Sequence, residues 1–122
     1  MSHTIFIADD NLGIRRSLRT CIEQYSVGDV CGEAEDGAEA VEKVKQLHPD
    51  IVILDFKMPV LDGLRAASQI RSFAPETKII LYTVYSSNLL VNYAQIFGVD
   101  EVVPKSDGGS KLIASIQSAG RK

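Results

Sequence analysis

Short apolar runs rich in β-branched residues alternate with stretches of helical period along this 122-residue chain. The runs are Thr4–Ala8, Asp29–Ala34, Ile51–Leu54, Lys78–Thr83 and Glu101–Pro104. Ile51-Val52-Ile53-Leu54 contains no polar position. A strand buries such a run only when both of its faces are covered, as in a parallel sheet packed between helices. Between the runs, Ile14, Leu18, Cys21, Ile22 and Tyr25 recur at helix spacing, with Arg15, Arg16, Arg19 and Glu23 elsewhere on the wheel. Val41, Val44 and Leu47 form a second stripe, closed by His48-Pro49. Leu64, Ala67 and Ile70 form a third, opened by Asp62-Gly63. A fourth helix is predicted from about Ser87 to Phe97, with Gly98 as its C-cap. A fifth runs from about Gly109 to Ala119 with Leu112, Ile113 and Ile116 inward. Five strands alternating with five helices predict one α/β domain over residues 1–122, with a parallel sheet and helices on both faces.

Composition narrows this picture. The formal net charge is −3, which gives no basic footprint for nucleic acid or an anionic membrane. No apolar run approaches the length of a membrane span, and no targeting segment is visible ahead of the first strand. Cys21 and Cys31 are the only cysteines. Their context favours free thiols in a reducing, cytoplasmic compartment over a disulfide, and neither has metal-ligand spacing around it. There is no repeat, low-complexity tract or internal linker.

In a parallel α/β sheet, ligands sit beyond the carboxyl ends of the strands. The first run ends in Asp9-Asp10, the third in Asp55, the fourth in Thr83 and the fifth in Pro104-Lys105. Three carboxylates, a hydroxyl and an ammonium therefore converge on one edge. Clustered carboxylates raise one another's pKa unless a cation joins them. Oxygen ligands with open positions suit Mg2+, which keeps several waters and binds through one or two carboxylates plus phosphate. A hydroxyl and a lysine across from the ion can hold the remaining phosphoryl oxygens, and a carboxylate is a competent nucleophile that yields an aspartyl phosphate. Taken singly, each Asp after a strand is more often a helix cap or turn residue, Thr83 reads as a cap and Lys105 as a solvated charge. The joint arrangement at four strand ends is what capping does not explain.

At these residues the sequence resembles the receiver domain of two-component response regulators over its whole length. The matching segments are Ala8-Asp9-Asp10, Asp55-Phe56-Lys57-Met58-Pro59-Val60-Leu61-Asp62-Gly63, Thr83, and Gly98-Val99-Asp100 leading to Lys105. The resemblance implies a flavodoxin-like, doubly wound three-layer sandwich with five strands in the order 2-1-3-4-5. It implies that Asp55 is the phosphoacceptor. Asp10 would be the direct ligand of Mg2+ (or Mn2+), with Asp9 acting through water or through Asp10 and the Lys57 carbonyl as a further protein ligand beside Asp55. Thr83 would bond one phosphoryl oxygen and shift on activation, and Lys105 would pair with another. The donor would be a phosphohistidine on a sensor histidine kinase. The domain would be a signalling phosphoacceptor, catalysing only its own phosphorylation and dephosphorylation. Arg15, Arg16 and Arg19 in the first helix and Ser106 after Lys105 are similar to the subfamily whose receivers precede a helix-turn-helix DNA-binding domain. A single-domain phosphorelay intermediate is the alternative reading; ending at Gly120-Arg121-Lys122, the sequence fits either a complete single-domain regulator or a receiver cut from a longer protein.

Four positions depart from the commonest family pattern. Val102 stands three residues before Lys105, where Tyr or Phe is common, and reads as a strand core residue; Tyr82 and Tyr85 are the candidates for an aromatic switch in its place. Ser106 replaces the usual Pro after Lys105, so the bond is expected to be trans, since a cis bond without Pro costs about 2.5–4 kcal/mol. Lys57 and Tyr85 occupy the positions two beyond Asp55 and Thr83, flanking the path of hydrolytic attack, and predict slow self-dephosphorylation. The fourth helix carries no charged residue. Leu90, Ala94 and Phe97 suffice to face the sheet, which leaves Leu89, Tyr93 and Ile96 as a second, exposed stripe unless the helix sinks deeper. In the family, the surface of the fourth helix, fifth strand and fifth helix is a common dimer and output face.

Other classes fit less well. A flavin or nucleotide site on this fold needs a Ser/Thr/Gly-rich loop after the first strand, and Asp9-Asp10-Asn11 would repel phosphate without a metal. A phosphohydrolase would need a second acid/base carboxylate, a part Asp9 could fill, and an element closing over its substrate, which this short chain does not offer. A pure interaction module would not need all five chemical positions.

Overall fold

The computed structural model describes residues 3–85 and 87–119 of the chain. Along it run β1 (His3–Ala8), α1 (Leu12–Tyr25), β2 (Gly28–Ala34), α2 (Gly37–Leu47), β3 (Ile51–Leu54), α3 (Gly63–Phe73), β4 (Lys78–Thr83), α4 (Asn88–Ile96), β5 (Glu101–Pro104) and α5 (Gly109–Ser118). A single 3-10 turn, Lys105–Asp107, joins β5 to α5. All strand pairs are parallel, in the order β2-β1-β3-β4-β5. This is the flavodoxin-like, doubly wound α/β sandwich.

The sheet separates two apolar layers because successive side chains of a strand point to opposite faces. Phe6, Ala8, Val52, Leu54, Ile79 and Leu81 join Ala40, Val44, Ala67, Ile70 and Ala94 on the α2, α3 and α4 side. Ile5, Ile7, Ile51, Ile53, Ile80, Tyr82 and Val103 meet Leu18, Ile22, Leu112, Ile113 and Ile116 on the α1 and α5 side. All four residues of β3 are buried, as the unbroken apolar run required. Each fully buried aliphatic side chain contributes about 1.5–3 kcal/mol relative to exposure.

The starts of α1 to α4 are set by side chains that accept an amide of the first turn. Asn11 accepts from Ile14 at 3.1 Å, Asp36 from Glu39 at 2.7 Å, Asp62 from Arg65 at 2.9 Å and Ser87 from Leu90 at 3.2 Å. Each such cap is typically worth about 1 kcal/mol. Gly98, with φ of 93°, follows α4 in the left-handed conformation expected of a helix stop.

Several sequence expectations need correction. β1 and β2 each begin one residue earlier, at His3 and Gly28. Tyr25 and Leu47 lie on apolar stripes yet are 54% and 44% exposed, each at the last residue of its helix. Arg15, placed on the polar side of its helix, is buried. In agreement with expectation, both cysteines are free and half-buried, and the bond after Lys105 is trans. Gly120-Arg121-Lys122 lie outside the described residues. Among the described residues, no helix is long and apolar enough to cross a membrane.

Candidate functional site

The site follows from register. Ala8 of β1 is aligned with Leu54 of β3, so Asp9 and Asp55 leave adjacent strands side by side. Thr83 of β4 is aligned with Pro104 of β5, so Lys105 emerges next to Thr83. Asp9, Asp10 and Asp55 consequently present carboxylate oxygens within 4.8 Å of one another. Asp9 and Asp55 are buried, and Asp10 is exposed.

Lys105 reaches into this cluster. Its Nζ lies 2.8 Å from Asp9 Oδ2 and 3.3 Å from Asp55 Oδ2. The other oxygens are held by backbone amides: Asn11 donates to Asp9 Oδ1 at 2.9 Å, and Phe56 donates to Asp55 Oδ1 at 2.8 Å. Both oxygens of Asp9 are thus engaged from within the protein. Burial, and then the charge of Asp9, push the Asp55 carboxyl above its ordinary pKa, while Lys105 and the Phe56 amide pull against them. Burial also works against the Lys105 charge. The hydrogen bond to Asp9 and the charges of Asp55 and Asp9 outweigh it and hold the ammonium above its ordinary pKa. Lys105 is thus a single cation placed against two of the three clustered carboxyl groups.

Thr83 is completely buried, and its Oγ1 accepts the Tyr85 amide at 3.3 Å. Tyr85 packs its ring edge-on to Phe56, with centroids 5.9 Å apart. The Lys57 ammonium lies 5.6 Å from the centroid of the same Tyr85 ring. The loops after β3 and β4 are thereby clasped together beside Asp55. Asp10, Phe56, Lys57, Met58, Pro59 and Asp62 line an open cleft at this edge.

Tyr82 does not belong to the α4 face. It packs in the α1–α5 layer, 5.8 Å from the Lys105 ammonium, whereas Val102 packs in the opposite layer with α4. Tyr82 is thus removed as a substitute for an aromatic at position 102, and Val102 is a strand residue packed on the core. On α4, Leu90 and Ala94 are buried and Phe97 packs on the core, while Leu89, Tyr93 and Ile96 are exposed.

Two features escaped sequence reasoning. Arg15 lies three and seven residues before Leu18 and Ile22, on the buried row of α1, and that spacing was the available signal. Val60 adopts φ of 72° in the loop after β3, for which a β-branched residue offers no sequence signal.

The model of the response regulator receiver domain family matches residues 5–117. This chain belongs to that family. The receiver is 31% identical over 121 residues to chemotaxis protein CheY of Thermotoga maritima, covering 99% of this chain and 100% of that protein. It is 30% identical over 114 residues to transcriptional regulatory protein LnrK of Bacillus subtilis, covering 93% of this chain and 52% of LnrK. A LuxR-family two-component response regulator from Aurantimonas sp. superposes with a TM-score of 0.93 at 28% identity, covering 100% of this chain and 89% of that one. Against four curated relatives the receiver spans only 30% to 54% of their length.

Proposed function

We propose that Asp55 of this receiver accepts a phosphoryl group from a phosphohistidine on a sensor histidine kinase and that the domain signals through the resulting aspartyl phosphate. One observation carries the reading: the Lys105 ammonium bridges Asp9 and Asp55 within a three-carboxylate cluster at the strand ends. An Asp55 oxygen attacks phosphorus as the P–N bond to imidazole breaks, and the bonding pair leaves with the imidazole. Lys105 and Thr83 are placed to receive phosphoryl oxygens, and Lys105 exchanges a carboxylate partner for one of them.

The donor set fits a hard divalent cation, because it consists of oxygens with no thiolate or imidazole among the clustered groups. Asp10, Asp55 and the Lys57 carbonyl would hold Mg2+ (or Mn2+), with Asp9 behind them since Asn11 and Lys105 already engage both of its oxygens. When bound, such an ion neutralises part of the phosphoryl charge.

Lys57 and Tyr85 shield the acyl phosphate from water and lengthen its life. Leu89, Tyr93 and Ile96 form the face through which the phosphorylated domain pairs with a second copy, along α4, β5 and α5. Residues 1–122 act as one cytoplasmic receiver unit that does not itself bind nucleic acid. Similarity to a transcriptional regulator supports transcriptional output through a DNA-binding domain outside this chain, and full-length similarity to CheY supports a single-domain phosphorelay role as the second reading.

Intact mass after incubation with acetyl phosphate and Mg2+ tests the proposal. Wild type is expected to gain the mass of one phosphoryl group and Asp55→Asn to gain none. Equal labelling of the two, or no labelling of wild type, would overturn it.

A further inference from the structure

The phosphoryl chemistry above gives no part to Arg15, although this residue is only 9% exposed. Its Nε donates to Glu33 Oε1 on β2 at 3.0 Å, and its Nη1 donates to the carbonyl oxygen of Asp9. Arg19 grips the other Glu33 oxygen, and Lys43 donates to the Glu33 carbonyl at 3.0 Å. A guanidinium is a rigid planar fork. With its Nε–H tied to Glu33, the plane is fixed and an N–H of Nη1 is aimed at a fixed point, the carbonyl of the peptide between Asp9 and Asp10.

That peptide launches the Asp10 side chain. Asp9 is otherwise held through its amide, which donates to the Ala34 carbonyl at 3.1 Å, and through its carboxylate. Asp10 is exposed, so its direction depends on the backbone that carries it. Arg19 shares Glu33 with Arg15, but its guanidinium bonds go to Glu33 and not to Asp9. The two arginines thus separate a role in the ion pair from a role at the site.

We infer that Arg15 is a positioning residue: by holding the Asp9–Asp10 peptide against α1, it sets where the Asp10 carboxylate stands toward a divalent cation and Asp55. The inference rests on the cation site proposed above. Its effect has a sign opposite to that of simple electrostatics. Deleting a positive charge beside a cation site should tighten cation binding, whereas releasing the peptide that orients a ligand should weaken it.

Mg2+ titration of the whole chain, followed by amide chemical shifts, reads this difference. Urea unfolding of each variant establishes that it is native under the titration conditions. Arg15→Met is expected to bind Mg2+ about tenfold more weakly than wild type, in the range found when groups supporting a metal ligand are removed. Arg19→Met is expected to bind as wild type does. Arg15→Lys should fall between, because one ammonium can reach Glu33 or the Asp9 carbonyl but not both. A folded Arg15→Met that binds Mg2+ as tightly as wild type, or more tightly, overturns the inference, as does an equal loss in Arg19→Met. If Arg15→Met does not fold, Arg15→Lys with wild-type affinity overturns it. A wild-type chain that shows no Mg2+ binding overturns the proposed cation site itself, and the role of Arg15 with it.

Discussion

A Cβ atom on Gly63 would stand 2.1 Å from the carbonyl oxygen of Asp55. The start of α3 is therefore pressed against the backbone of the phosphoacceptor candidate, and the Gly63 amide donates to the Phe56 carbonyl at 2.7 Å. Only hydrogen fits there, because the obstructing atom is backbone and cannot rotate away. Gly63→Ala is expected to cost about 1–3 kcal/mol, the usual range for overpacking, and to slow phosphorylation of Asp55. Urea unfolding that matched wild type would show that the loop opens freely.

Val60 stands in the same loop at φ of 72° with most of its surface exposed. A β-branched residue gains no burial there to offset the left-handed backbone. Val60→Gly is expected to raise stability by roughly 0.5–1 kcal/mol, after the greater chain entropy of glycine is subtracted. A lower unfolding midpoint in the variant would contradict this account.

Glu33 links its ion pair to pH. Burial alone would raise its pKa, but hydrogen bonds and charge from Arg19 and Arg15 outweigh burial and leave it below the ordinary value. A depressed folded pKa contributes stability that is present above the unfolded value and lost as pH falls through the folded one. Glu33→Gln should cost about 1 kcal/mol near neutral pH, a figure discounted for the partial exposure of the pair. The gap from wild type should close as the solution passes below the carboxylate range. A gap that persisted at acid pH would mean that the charge of Glu33 is not what matters.

Lys57 and Tyr85 lie against each other beside the proposed acyl phosphate. Lys57→Asn combined with Tyr85→Ala is expected to speed phosphate loss about tenfold, equal to roughly 1.4 kcal/mol of barrier. Timed loss of the phosphoryl mass checks this. A short-lived phosphate in wild type, or no change in the double variant, would end the shielding proposal.

Leu89, Tyr93 and Ile96 are 65%, 50% and 77% exposed. Apolar side chains aligned on one helix face suit association with a partner. Beryllofluoride with Mg2+ should shift wild type toward a dimer in size measurements. Replacing the three residues by Ser should abolish the shift and leave stability nearly unchanged. A wild type that stays monomeric with beryllofluoride excludes homodimer output.

Much of the architecture was legible because burial leaves periodic marks. The unbroken run Ile51–Leu54 called for two covered faces, and the stop of each apolar run located Asp9, Asp55, Thr83 and Lys105. The Leu90 and Leu89 stripes of α4 separated as the wheel predicted. Arg15 was misplaced because a charge counts as solvent-facing until a partner is known, and its partner Glu33 comes from β2, 18 residues away.

By itself, the sequence determined the alternation of strands and helices, the residues that close each strand, and hence the chemical groups at one sheet edge. Hydrophobic periodicity is local, so it can be read along the chain. Only the tertiary structure decided which atoms meet. Lys105 bonds Asp55 and Asp9 across 50 and 96 residues, Tyr82 and Val102 face opposite layers, and Arg15 reaches the Asp9 carbonyl. Each of these contacts depends on strand order, register and the seating of a helix, and those are settled by packing between segments that are distant in the chain.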